Sequence, residues 1–154
     1  TEYGTHESSY ATLQATRAQT LGYTLADSPS GQAAWIYEKL GEWSDTDHHP
    51  SRGLGADRVL NNISLYWLTN TGASSARLYA ESFGDDFVTI ALDLPVAVSI
   101  FPKEIYRAPR VWAERTYSDL VYFNDDISAG GHFAAFEQPK LFVSEVRAGF
   151  RDLR

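Results

Sequence analysis

Gly130-Gly131-His132-Phe133-Ala134-Ala135-Phe136-Glu137-Gln138-Pro139 sets a histidine after two glycines and before two small residues. An apolar run of β type, Leu120-Val121-Tyr122-Phe123, lies upstream, and a helical pattern from Pro139 to Leu153 lies downstream. The stretch therefore reads as a tight loop between a late strand and a final helix. Loops at strand ends are where α/β enzymes keep their chemistry. A histidine there suits general-base work near neutral pH. Taken alone, His132 is better explained as a loop histidine bonded to backbone, and its neighbours have to decide.

Working outward, Pro95-Val96-Ala97-Val98-Ser99-Ile100-Phe101 is a β-branched run stopped by Pro102 and reads as a buried strand. Pro109 to about Thr116 is helical in pattern, so strands and helices alternate through the second half. Phe87 to Asp93 is apolar but too short and mixed to assign. The first half is helical. Ser8 or Ser9 is placed to cap a helix running through Tyr10 to about Thr24. Asp27-Ser28-Pro29 starts a second, Gln32 to about Trp43, with Ala33, Ile36, Tyr37 and Leu40 on one face. Ser44 to Gly53 is a polar loop without periodicity. Asp57 opens a third helix carrying Val59, Leu60, Ile63, Tyr66 and Trp67 at helical spacing. Thr69-Asn70-Thr71-Gly72 breaks it, and a fourth runs from about Ala73 to Phe83. Two parallel strands do not form a sheet that stands alone, because both faces and both edges need cover. The fold class is therefore α/β, with residues 85–154 the end of a larger parallel sheet and residues 1–84 a helical cap inserted into it.

The chain has 154 residues, 44% of them hydrophobic, enough for a domain with a real core. A net charge of −7 and the absence of any Lys/Arg cluster argue against nucleic acid or an anionic membrane as partner. There is no cysteine, hence no disulfide framework and no thiolate site. No stretch approaches the ~20 apolar residues of a membrane span. Thr1-Glu2-Tyr3-Gly4-Thr5-His6-Glu7 lacks the basic and apolar regions of a secretion signal, so a cytoplasmic location is expected. The first residue is not Met, and the chain is expected to be processed, truncated or one piece of a longer protein. His48-His49 with Asp45 and Asp47 suggests a metal at first sight. Adjacent histidines do not easily share one ion, so the group reads as a solvated loop and no metal is expected.

Glu104 lies just past the strand ending at Phe101, and His132 just past the next one, 28 residues on. In α/β-hydrolases the chain order is nucleophile, acid, histidine. Glu104 and His132 fit the last two members. The acid's work is to hold the imidazole tautomer and stabilise the imidazolium.

From about Ser8 to Phe150 the chain resembles the C-terminal half of a microsomal-type epoxide hydrolase, a branch of the α/β-hydrolases. Gly130-Gly131-His132-Phe133-Ala134-Ala135 with Glu137 and Pro139 matches the family's catalytic-histidine loop, and Phe101-Pro102-Lys103-Glu104-Ile105 its acid loop. Leu65-Tyr66-Trp67 and Ser74-Ser75-Ala76-Arg77-Leu78-Tyr79 match its cap helices. Tyr10 to Thr16 and Asp27 to Ile36 match the entry to the cap. Ala18 departs from the pattern, where the family often has Pro.

The resemblance implies an enzyme that opens an epoxide to a diol without a cofactor. Tyr10 and Tyr79 donate hydrogen bonds to the epoxide oxygen, an Asp carboxylate attacks an epoxide carbon, and His132, oriented by Glu104, activates water to hydrolyse the ester. The substrate is a hydrophobic small-molecule epoxide. Trp35, Tyr66, Trp67, Phe101 and Phe133 are candidates to line its pocket, with plain core packing the rival explanation. The family's Asp elbow and His-Gly-x-Pro loop lie in its N-terminal half and have no match here. Gly84-Asp85-Asp86-Phe87 and Asn124-Asp125-Asp126 read as turns. The N-terminal half, as a separate chain or missing segment, is therefore an expected partner, and a homo-oligomer is left open. Two other readings stand beside this one. A dehalogenase or esterase of the same fold is one, although halide release would favour Trp or Asn donors over paired tyrosines. A non-catalytic fragment binding a hydrophobic ligand is the other.

Overall fold

The computed structural model describes residues 7–82 and 92–153. The end of the fourth helix at Phe83, the turn at Gly84 to Phe87 and most of the unassigned run Phe87 to Asp93 lie outside these. The chain divides into two compact units, residues 7–39 with 55–82, and residues 40–54 with 92–153. The polar segment after the second helix thus belongs with the C-terminal unit, although it was expected to be part of the cap.

The first unit is built from α1 (Ser9–Asp27), most of α2 (Pro29–Glu42), α3 (Ala56–Thr69) and α4 (Gly72–Ser82). Ser28 caps α2: its hydroxyl accepts the Gly31 N–H at 3.0 Å, and Pro29 takes the first helical position, where a missing N–H costs nothing. At α1 the expected side-chain cap is absent, and Ser8 has helical φ/ψ with no cap hydrogen bond. Asn70 ends α3 in the left-handed region at φ 52°, where Asn is tolerated, and donates its N–H to the Trp67 carbonyl. Helices α1 and α4 pack on each other through Ala18, Leu21, Leu25 and Ala76, with Trp35 against them. Two expected inward faces turn out mixed. Val59 and Ile63 of α3 are buried while Leu60 is exposed, and on α2 Gln32 and Leu40 are buried while Tyr37 is exposed.

The second unit contains β1 (Val96–Ser99), α5 (Arg110–Thr116), β2 (Leu120–Asn124), a one-turn α6 (Ala134–Glu137) and α7 (Pro139–Gly149), followed by a 3₁₀ turn at Arg151–Leu153. The strands are parallel, with Ala97 opposite Tyr122 and Ser99 opposite Asn124, after a one-residue irregularity between Val96 and Ala97. The final helical pattern is therefore shorter than expected, and α6 was not foreseen. Below the histidine loop Phe101, Ile127 and Ala134 form a buried cluster with Leu141 against it. Among the described residues no helix is long and apolar enough to cross a membrane.

Helix α7 is tied to both strands by Glu145. Its buried carboxylate accepts the Ser99 hydroxyl at 2.9 Å, the Tyr122 hydroxyl at 3.0 Å and the Asn124 amide at 3.1 Å. A buried carboxylate is tolerable only when so satisfied. Glu145→Ala should therefore lower stability by about 2–3 kcal/mol, since it leaves three polar groups without their acceptor. Urea unfolding checks this, and an unchanged midpoint would remove Glu145 from the support of the sheet.

Candidate active site

Strand pairing continues past the ends of β1 and β2. Lys103 and Gly131 form an isolated parallel bridge, and the Lys103 N–H donates to the Gly130 carbonyl at 3.0 Å. With residue 103 opposite 131, parallel register brings the next pair, Glu104 and His132, side by side. The two glycines are what the loop requires. Gly130 sits at φ 108°, which L side chains rarely adopt. A Cβ on Gly131 would stand 2.6 Å from the Trp43 carbonyl oxygen.

The His132 imidazole donates from Nδ1 to Glu104 Oε1 at 2.7 Å, and the same carboxylate oxygen accepts the Ile105 N–H at 2.8 Å. A carboxylate only accepts, so the donor on Nδ1 is settled and Nε2 of the neutral ring carries the lone pair. Burial pushes the Glu104 carboxyl up, but the His132 hydrogen bond and charge, with the Ile105 and Tyr106 N–H groups, outweigh it and hold the group below its ordinary value. For His132 the hydrogen bond to Glu104 raises the pKa; burial opposes this, and the charges of Glu104 and Glu137 add to the rise. The pair is partly exposed, 39% for the imidazole side chain and 25% for the carboxylate. Two aromatic rings flank the imidazole edge-on, Trp43 at 5.5 Å and Phe133 at 5.2 Å between centroids, and they stack on each other at 6.2 Å.

Within the loop every N–H from residue 130 to 133 has an acceptor. Gly130 donates to Asp45 Oδ2 at 3.1 Å, Gly131 to Glu137 Oε2 at 3.0 Å, His132 to the Trp43 carbonyl at 2.9 Å and Phe133 to Glu137 Oε1 at 2.9 Å. Trp43, Asp45 and Glu137 are thus site residues that reading the sequence missed. Glu137 reaches back to the Phe133 N–H that precedes α6, but it stands four residues on, one past the capping-box position, and Phe133 is no capping residue, so the pattern gave no signal. Asp45 had none either, since Gly130 is 85 residues away. Asp47 and His48, at φ 48° and 61°, turn this segment.

In the first unit Tyr10 and Tyr79 meet edge to face, with ring centroids 5.8 Å apart and planes at 75°. The Lys39 ammonium lies 4.9 Å from the Tyr10 ring centre. Trp35 lies on the α1–α4 core, and Tyr66 and Trp67 are partly buried near the end of α3. Phe101 is buried below the histidine loop, and Phe133 stands beside the imidazole. His48 pairs with Glu42 at 3.4 Å, and among the described residues no group of three His, Cys, Asp or Glu could hold a metal.

No protein-family model matches the chain. A protein of Stigmatella aurantiaca that carries a provisional epoxide hydrolase name is 60% identical over 152 residues, 99% of this chain and 34% of its own length. Epoxide hydrolase 1 of Sus scrofa is 35% identical over 92% of this chain and 33% of its own length. The crystal structure of juvenile hormone epoxide hydrolase from the silkworm Bombyx mori superposes with a TM-score of 0.86 at 34% identity, over 95% of this chain and 40% of that one. The chain spans about a third of the length of the curated relatives it matches. Over nearly all its length it is similar to the C-terminal part of epoxide hydrolases of the α/β-hydrolase fold, the helical cap followed by the last parallel strands and helices.

Proposed function

We propose that these residues are the water-activating part of an epoxide hydrolase whose nucleophilic Asp is supplied by an N-terminal half outside this sequence. The observation that carries the reading is the 2.7 Å hydrogen bond from His132 Nδ1 to Glu104, which presents Nε2 as the base. The Asp carboxylate attacks an epoxide carbon and the ring C–O bond breaks. The oxygen leaves as an alkoxide and takes a proton from the tyrosine pair, Tyr10 and Tyr79. His132 then removes a proton from water, and the hydroxide attacks the ester carbonyl, releasing the diol and restoring the Asp carboxylate; the proton left on the imidazolium returns through solvent to the tyrosine that gave one up. The edge-to-face contact of the two tyrosines supports their acting as one pair of donors. Phe133, beside the imidazole, supplies apolar surface for a hydrophobic epoxide, and the partly buried Tyr66 and Trp67 are candidates on α3, whereas Phe101 and Trp35 are taken up by core packing within their own units. No step needs a cofactor.

The two halves of this reaction separate experimentally. In the full-length protein, His132→Gln should still form the ester, because the tyrosines activate the epoxide without the imidazole. The ester should then persist. Mass spectrometry should show an adduct of substrate mass on the mutant and none on these 154 residues alone. Full turnover by the mutant, or an adduct on the isolated chain, would sink the assignment.

The pH dependence of ester hydrolysis gives a second check. The base must be neutral, so hydrolysis fails as pH falls through the His132 pKa. Glu104 raises that pKa, so the acid limb in the parent should lie above the ordinary imidazole range. Glu104→Gln should move the limb to lower pH and lower the plateau, as single-turnover rates across pH would record. A limb that stays in place would remove Glu104 as the partner of His132.

A further inference from the structure

Glu137 straddles His132. Its Oε2 accepts the Gly131 N–H at 3.0 Å and its Oε1 the Phe133 N–H at 2.9 Å, so one carboxylate holds the peptide units on both sides of the histidine. Oε2 also accepts the Asp45 N–H at 2.7 Å, while Asp45 returns Oδ2 to the Gly130 N–H at 3.1 Å. The two acids thus form a reciprocal clasp that joins the loop to the segment after α2. We propose that Glu137 is a positioning residue for ester hydrolysis: by clamping the backbone on either side of His132 it holds the imidazole on Glu104 with Nε2 directed at the water. The proposal rests on the reading of His132 as the base.

Three features of the clasp point beyond ordinary loop packing. The three N–H groups need acceptors on both carboxylate oxygens. A carboxamide offers an acceptor on one side only and turns a donor against an N–H on the other. The geometry being held is also the one that matters most for rate, since a misplacement of about 1 Å in a catalytic group can cost 10²-fold. Finally, Glu137 acts on the imidazole through its charge as well as through the backbone. On the acid loop the ionic groups are Lys103, Glu104 and Arg107, and at the end of α2 and on the segment after it they are Glu42, Asp45, Asp47, His48, His49 and Arg52. Of these, Glu104 favours the protonated ring, as Glu137 does.

The test uses the full-length enzyme, with ester formation and ester hydrolysis followed separately in single turnovers across pH. Glu137→Gln should leave ester formation unchanged, slow ester hydrolysis roughly 10–100-fold and move its acid limb to lower pH. Glu114→Gln, an exposed carboxylate on α5 paired with Arg110, removes the same charge elsewhere and should change neither rate nor limb. Hydrolysis at the parent rate with the limb in place would overturn the proposal, and so would a loss of stability without a shift of the limb. Glu137→Ala should be slower still; if it fails to fold, the Gln variant decides. If the parent forms no adduct with any epoxide, the epoxide hydrolase reading fails. The NMR titration of His132, assigned against His132→Gln, then still tests the clasp: a lower pKa in Glu137→Gln upholds it and an unchanged one overturns it.

Discussion

The pairing of Glu104 with His132 depends on one parallel hydrogen-bonded step beyond the sheet. Lys103 and Gly131 pair where β1 and β2 have already ended, and that step sets Glu104 against His132. Side-chain flexibility could not do this work. Successive residues of an extended chain point to opposite sides, so a slip of one position would turn the carboxylate away from the imidazole. The pairing survives outside regular strands because a glycine sits on the partner side. Gly130 takes a positive φ and Gly131 lies against the Trp43 carbonyl where a side chain would clash.

With the register set, the loop is held through its backbone. Four successive amides find acceptors in Asp45, Trp43 and Glu137, and this accounts for residues 40–54 folding with the C-terminal unit. A loop running from a strand to a one-turn helix has few hydrogen bonds of its own, so these external acceptors define its shape. Carboxylates suit the task because each can accept several N–H bonds at once. The charge of Glu137 also favours the protonated imidazole. Trp43 and Phe133 cover two sides of the ring, which strengthens every charge interaction of His132 relative to open water. Glu145 repeats the device lower in the unit, one carboxylate gathering polar groups from both strands onto α7.

The strands, the crossover helix and the four helices of the first unit were legible because each carries a local signal. Val96 to Ser99 and Leu120 to Asn124 are β-branched or aromatic runs bounded by breakers. Ser28-Pro29 announces α2, and Asn70 ends α3 where the apolar period stops. The sides of the helices were less legible. Leu60 shares the period of Val59 and Ile63 yet is exposed, and Gln32 is buried although polar, because period gives the stripe and not its edges. Helix α6 escaped because a single turn has no period to read.

By itself the sequence determined which groups were available: one histidine on a glycine loop after a late strand, one acid after the strand before it, and the order that matches an α/β-hydrolase. Those are local or ordinal properties, set by breakers, β-branched runs and chain order. Tertiary structure alone decided that Glu104 Oε1 lies 2.7 Å from His132 Nδ1, that Tyr10 and Tyr79 touch across 69 residues, and that Asp45 and Glu137 brace the loop. Contacts of that kind come from strand register and helix packing between distant segments. Hydrophobic period and turn chemistry, which act within a few residues, carry no record of them.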